Sequence, residues 1–121
     1  MGSTSLRGIY ALKDPKMVRE YLGLSLREAG DLCGTSKNLF ANWQSGHRVM
    51  PDSAITVIGE QIANKLTRQF GVEIGVKIEV NARWHVTAWT QCKRCRAWFK
   101  MRRSRDRVCQ ECRQELVERG Q

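Results

Sequence analysis

The chain has 121 residues, of which 41% are hydrophobic, and a formal net charge of +9 at pH 7. Charges interrupt its apolar stretches within a few residues, which argues against a membrane span, and no secretory signal is evident; we therefore expect a cytoplasmic protein with reduced cysteines. The segment from Cys92 to Gln121 holds ten Lys or Arg against four acids, and thus six of the nine excess positive charges. A basic segment of this kind favours a partner that carries phosphate.

The first half of the chain predicts three short helices. Asp14 suits the N-cap of the first, because its carboxylate can accept hydrogen bonds from unpaired N–H groups. Ser25 and Glu28 have the spacing of a capping box and predict the start of the second helix. The third helix is expected from about Lys37 to Ser45 and should stop at Gly46, since glycine favours the left-handed conformation that ends many helices.

The second and third helices are joined by a short turn with distinctive residues. Residues 26–43 read LREAGDLCGTSKNLFANW. Ala29 and Gly30 are small, as two closely crossing helices require, and Gly34 tolerates the positive φ of a tight turn. With these features, about residues 15–50 resemble the helix-turn-helix of the phage-repressor-like DNA-binding family.

The resemblance implies that the third helix, residues 36–45, lies in the major groove of DNA. Asn38 and Asn42 carry amides that suit adenine edges, and Lys37 suits guanine. Hydroxyl and basic groups at the two ends of the helix are better placed for phosphate. The residues that the resemblance assigns to DNA binding are Thr35, Ser36, Lys37, Asn38, Ala41, Asn42, Gln44, His47 and Arg48.

A long helix and a β-hairpin are predicted next. Over residues 52–69 apolar side chains recur at three- and four-residue steps, whereas residues 72–80 and 84–89 alternate as half-buried strands do. A three-residue turn would set Val80 opposite Trp84 and pair apolar with apolar residues, and we prefer it to a two-residue turn. Because a lone hairpin is marginally stable, it should pack on the long helix, on the C-terminal segment or on a second copy of the chain.

Two Cys-x2-Cys pairs, Cys92 with Cys95 and Cys109 with Cys112, are separated by thirteen residues. This spacing is typical of a structural zinc site in which four thiolates fill the tetrahedron and leave no position for substrate. Disulfides and unliganded thiols are the alternatives, and a reducing compartment favours zinc. We expect the intervening segment to form a short hairpin with an aromatic residue near the metal. In this respect it resembles small four-cysteine zinc ribbons.

Basic residues surround the four cysteines and form the densest positive cluster of the chain. Contact with a nucleic-acid backbone is the simplest use of such a cluster, and a basic tip also suits a narrow minor groove. The residues assigned to phosphate contact are Arg94, Arg96, Lys100, Arg102, Arg103, Arg105 and Arg107.

Together these patterns predict an α+β protein with a helix-turn-helix domain (1–70), a β-hairpin connector or dimerisation element (71–90) and a basic four-cysteine zinc-binding module (91–121). We expect a sequence-specific transcriptional regulator of a phage, plasmid or other mobile bacterial element. Its partner would be double-stranded DNA, and the zinc module would add contact to DNA or RNA polymerase.

Other functions stay open at this point. The zinc module could instead bind a protein, as in antitoxins or antitermination factors, and its basic aromatic surface could bind RNA. A homodimer is also open, because operator-binding proteins are often two-fold symmetric. We do not expect an enzyme, since there is no phosphate-binding glycine loop or open metal site, and neither His47 nor His85 has an evident catalytic partner. The operator and the sign of regulation do not follow from the sequence.

Overall fold

A computed structural model describes residues 6–80 and 84–119 of the chain. These residues form six helices and one three-stranded antiparallel sheet in the order β1-β2-β3, which confirms the predicted α+β class. The helices are α1 (Leu6–Tyr10), α2 (Pro15–Tyr21), α3 (Leu26–Leu32), α4 (Lys37–Ser45), α5 (Asp52–Phe70) and α6 (Gln110–Arg119). The strands are β1 (Ile74–Val80), β2 (Trp84–Gln91) and β3 (Trp98–Lys100).

Side-chain caps begin three of the helices, and those at Asp14 and Ser25 were predicted from the sequence. The Asp14 carboxylate accepts a hydrogen bond of 2.8 Å from the third residue of α2. Ser25 and Glu28 form both bonds of the capping box, at 3.1 and 2.8 Å, and Ser36 accepts one of 3.1 Å at the start of α4. Each cap satisfies N–H groups that the helix itself cannot, and this fixes the point at which the helix starts.

Helix α5 packs on one face of the sheet, which we call the inner face. Ile58, Ile62 and Leu66 of this helix are buried, as are Val86 and Ala88 of β2. The five-residue helix α1, which the sequence reading did not anticipate, also contacts β2. None of the helices in residues 6–80 and 84–119 combines the length and the apolar character that a membrane span requires.

The preferred register of the hairpin is confirmed. Val80 lies opposite Trp84 and Ile78 opposite Val86; the turn itself, residues 81–83, lies outside the described residues. The hairpin packs on α5 and is extended by β3 of the C-terminal segment, so two of the three predicted supports are present.

The segment between the two cysteine pairs does not form the expected hairpin within the described residues. Its strand β3 pairs with β2, setting Lys100 opposite Trp89. Beyond β3 the N–H groups of Arg102 and Arg103 both donate to the Asp106 carboxylate, so they are not available to a second strand. A buried carboxylate therefore takes the hydrogen bonds that a hairpin ladder would have used.

Candidate metal centre and nucleic-acid surface

The fold brings the four cysteines of the two pairs together. Their sulfur atoms all lie within 4.8 Å of one another, and all four are free thiols; the Sγ atoms of Cys95 and Cys109 are 3.7 Å apart. A tetrahedral ion with metal–sulfur bonds of about 2.3 Å would hold its sulfurs about 3.8 Å apart, whereas a disulfide requires about 2.05 Å. The four residues thus form a possible metal site whose dimensions fit a four-coordinate ion.

Backbone N–H groups surround the sulfur of the buried Cys92. The amides of Arg94, Cys95 and Cys109 lie 3.4, 3.5 and 3.4 Å from it. Burial opposes ionisation of this thiol, but the three amides outweigh it and lower the pKa of Cys92 to about 6. The surroundings of Cys92 therefore stabilise its thiolate, which is the form that binds a metal.

Two of the other thiols, those of Cys95 and Cys112, resist ionisation. Burial, reinforced by the neighbouring thiols, raises the pKa of Cys112 to about 12. The N–H of Ala97 favours the Cys95 thiolate, but the adjacent sulfurs and burial prevail and raise the pKa of Cys95. Since four thiolates this close repel one another, a divalent cation is needed to ionise them together, and its binding would release protons.

Asp106 is the residue that shapes the basic loop after β3. Its side chain is only 5% exposed. One carboxylate oxygen accepts from the N–H groups of Arg102 and Arg103, each at 2.9 Å, and the other accepts from the Arg113 guanidinium at 2.9 Å. Burial opposes the charge, but these donors prevail and lower the pKa of Asp106. This role of Asp106 was not predicted from the sequence, although a lone acid in an arginine-rich loop is a signal for such a turn.

The predicted phosphate-binding residues differ in their surroundings. Arg107 is half-buried and donates to the carbonyl oxygens of Ser104 and Asp106 at 2.8 and 2.7 Å, so its guanidinium stabilises the loop. Arg94 lies 3.4 Å from the Glu115 carboxylate. The exposed members of the set are Arg94, Arg96, Lys100, Arg102, Arg103 and Arg105.

Helices α3 and α4 approach each other at the level of the backbone. A Cβ atom on Gly30 would lie 2.9 Å from the carbonyl carbon and oxygen of Ser36 and 3.0 Å from the Lys37 nitrogen. The turn between them contains Gly34 at φ +70°, and the Thr35 N–H donates to the Gly30 carbonyl at 2.8 Å. A residue without a side chain is thus required where α3 crosses the start of α4.

Helix α4 divides into a buried and an exposed face. Phe40 and Trp43 are 1% and 7% exposed, and their rings pack edge to face with centroids 5.7 Å apart. The side chains of Lys37, Asn38 and Asn42 lie on the exposed face. Polar amide and ammonium groups are therefore presented to solvent from a helix that is anchored by two aromatic rings.

The remaining residues of the predicted DNA-binding set lie around this face. Gln44 is half-buried and accepts a hydrogen bond of 3.0 Å from Arg19 of α2, which ties α4 to its neighbour. His47 is exposed, and its Nδ1 atom lies 2.6 Å from the Ser45 hydroxyl. Of the other members, those exposed are Ser36 and Arg48, and those half-buried are Thr35 and Ala41.

No protein-family model, curated protein or solved structure matches this chain.

Proposed function

We propose that this protein is a sequence-specific DNA-binding transcriptional regulator in which α3 and α4 form a helix-turn-helix. The observation that carries this proposal is the backbone approach at Gly30, together with the positive φ of Gly34. A pair of helices that cross closely through a tight glycine turn presents the second helix outward, as insertion into the major groove requires. The exposed face of α4 then becomes the reading surface.

Each polar residue on this face has a chemical role in the proposal. Asn38 and Asn42 present amides that can donate to and accept from adenine at once, and Lys37 can donate to guanine. Ser36 already caps α4 and lies at its N-terminus, where N–H groups favour a phosphate. Gln44, held by Arg19, positions α4 beneath the face.

The C-terminal module adds affinity in this proposal, with zinc as its metal. Four thiolates at tetrahedral spacing suit zinc, which would hold the two cysteine pairs together and take no part in catalysis. The exposed Arg102, Arg103 and Arg105 then extend from the loop shaped by Asp106 and contact the phosphate backbone. Contact of this kind increases affinity without selecting a sequence.

The test is selection of duplex sequences by the full-length zinc-loaded protein, followed by affinity measurements on the selected site and on a scrambled duplex. The triple variant Lys37→Ala, Asn38→Ala, Asn42→Ala is expected to bind both duplexes alike, because the groups that distinguish bases are gone. The matched control Asn64→Ala, Arg68→Ala removes one amide and one cation from exposed positions of α5 and is expected to keep the preference. Failure to select any duplex, or an unchanged preference in the triple variant, would refute the proposal.

A further inference from the structure

The sheet has a second face, opposite to α5 and α1, which we call the outer face. Because Val86, Ala88 and Thr90 of β2 are buried on the inner face, the alternating residues Trp89 and Gln91 lie on the outer one. The strand register places three further residues on the outer face. Gly75 of β1 and Lys100 of β3 flank Trp89 on its two sides, and Trp98 of β3 lies opposite Gln91.

Trp98 lies across the outer face. One edge of its indole, at Cζ3, is 3.9 Å from the position that a Cβ atom on Gly75 would take, two strands away. The absence of a side chain at Gly75 leaves room for the ring, and 46% of Trp98 is exposed. Beside it, the indole N–H of Trp89 donates to the Thr87 hydroxyl at 3.0 Å, which fixes the orientation of this second ring. Two tryptophans thus share one face of the sheet, and the more exposed one is not part of the core.

Cationic residues adjoin the two rings. Lys77 is exposed on β1, two residues from Gly75. Arg96 is exposed just before β3, and its carbonyl accepts a hydrogen bond of 2.8 Å from the Gln91 amide, which holds it at the edge of the outer face. Lys100 is exposed as well, but its ammonium lies 5.6 Å from the centre of the ring of Tyr10, which belongs to α1, so it is not counted among the cations of the outer face. Of the acids in and next to β1, Glu79 lies at the opposite end of the strand from Gly75, whereas the exposed Glu73 precedes the strand by one residue and lies two residues from Gly75.

Arg96 also has a backbone conformation that arginine disfavours. Its φ is 68°, the one positive value among non-glycine residues in the described part of the chain. Glycine would adopt this conformation without strain, whereas a residue with a Cβ atom is strained there. Strained residues of this kind concentrate at sites where the side chain has a function.

We propose that the outer face binds single-stranded nucleic acid, with bases stacked on Trp98 and Trp89 and phosphates held by Arg96 and Lys77. Unpaired bases expose their ring faces to such a surface, whereas the bases of a duplex are stacked on each other. The positive charge around the rings complements a phosphate backbone, and stacking accepts any base. This site is separate from the duplex-reading face of α4 and does not depend on it.

The test measures fluorescence anisotropy of labelled oligo(dT) and oligo(rU), each of about twelve nucleotides, with the full-length metal-loaded protein. Trp98→Ala is expected to lower the affinity about tenfold or more, because one stacking ring is removed. Trp98→Phe keeps an aromatic ring and should stay near the wild type. Leu116→Ala is the matched control, since Leu116 has the same 46% exposure but lies on α6, and it should change nothing.

The variant Arg96→Gly distinguishes an effect on nucleic-acid binding from an effect on the stability of the fold. The substitution relieves the backbone strain and should leave the fold at least as stable, yet it should weaken binding of the single strand. It should also reduce the slope of log affinity against log salt by about 0.7, the value for one phosphate contact on a single strand. A variant that is more stable and binds less tightly cannot be explained by unfolding.

Three outcomes would overturn the proposal. The first is that Trp98→Ala retains metal and binds both oligonucleotides as tightly as the wild type. The second is that Leu116→Ala weakens binding as much as Trp98→Ala does, and the third is that Arg96→Gly changes neither the affinity nor its salt dependence. If Trp98→Ala no longer holds metal, Trp98→Phe and Arg96→Gly decide the question instead. The triple variant of α4 distinguishes the two sites, because it should lose duplex preference and still bind the single strands.

Discussion

The α3–α4 pair and the C-terminal module both present polar groups on a fixed support, but the supports are chemically different. Helix α4 is anchored by Phe40 and Trp43, which are almost completely buried. In the module, by contrast, the described buried residues are Met101, Asp106 and two of the cysteines. Where few apolar side chains are buried, a cluster of four cysteines and a hydrogen-bonded carboxylate lie in place of an apolar core. The comparison predicts that the two regions respond to different perturbations.

Removal of the proposed zinc should have the largest effect, and this effect should be confined to one region. The binding free energy of structural zinc in small modules is about 10–16 kcal/mol, and it contributes directly to folding. With a chelator, we expect hydrogen exchange to accelerate in α6 and in the loop around Asp106, while amides of α3 and α4 keep their protection. Equal loss of protection in both regions would show that the supports are not independent.

A methyl group at the crossing of α3 and α4 should instead destabilise the helix pair and leave the C-terminal module unaffected. Gly30→Ala places a Cβ atom 2.9 Å from the Ser36 backbone, so the helices must separate, at a cost of about 1–3 kcal/mol in unfolding free energy. Gly59→Ala is the matched control, because Gly59 is also a buried helical glycine but its Cβ would lie 3.6 Å from the nearest atom. The control should be neutral or stabilise by up to about 1 kcal/mol. Denaturant titration of both variants, with metal content measured alongside, checks this, and equal destabilisation would contradict it.

The next largest effect is expected from loss of the Asp106 carboxylate, which should lower the stability of the C-terminal module. Asp106→Asn removes the charge and leaves one acceptor oxygen for three donors, which should lower the stability of the module by about 1–3 kcal/mol. The measurement is the chelator concentration at which the metal dissociates, compared between the variant and the wild type. Asp31→Asn, an exposed change on α3 outside the module, should leave this concentration unaffected.

The smallest predicted effect concerns the capping box of α3 and depends on pH. The hydrogen bond from the Ser25 N–H lowers the pKa of Glu28, so its contribution is complete above the unfolded pKa and is lost as pH falls through the lower folded pKa. Glu28→Gln should therefore be slightly less stable than the wild type near neutral pH, and the difference should shrink below about pH 4. Thermal unfolding at several pH values measures this difference. A gap that stays constant or widens in acid would be incompatible with the proposed role.

The features that the sequence predicted well are local. The caps at Asp14 and Ser25 depend on residues three positions apart, and the hairpin register depends on neighbouring strands. The spacing of the cysteines likewise indicated the cluster of four thiols.

The features that it missed depend on distant partners. Strand β3 pairs with β2 instead of forming a local hairpin. The Asp106 carboxylate accepts the N–H groups of Arg102 and Arg103, which such a hairpin would have needed. Helix α1 has five residues, too few for a periodic pattern, and is placed by tertiary contacts such as the bond from the Tyr10 hydroxyl to the Met101 carbonyl. Nothing in the run of arginines indicated that Arg107 would donate to backbone carbonyls whereas Arg102 and Arg103 would be exposed.

The measurement that most directly tests the central proposal is the salt dependence of binding to a selected duplex. Asn38→Ala with Asn42→Ala removes neutral groups, so the affinity for the selected site should fall while the slope of log affinity against log salt stays the same. Replacing Arg102, Arg103 and Arg105 by alanine should instead reduce the slope by about 0.9 for each phosphate that is no longer neutralised, and it should preserve sequence preference. Two results would contradict this assignment of base reading to α4 and of phosphate contact to the module. In one, the asparagine variant changes the salt slope and keeps its sequence preference. In the other, the arginine variant loses sequence preference while its salt slope is unchanged.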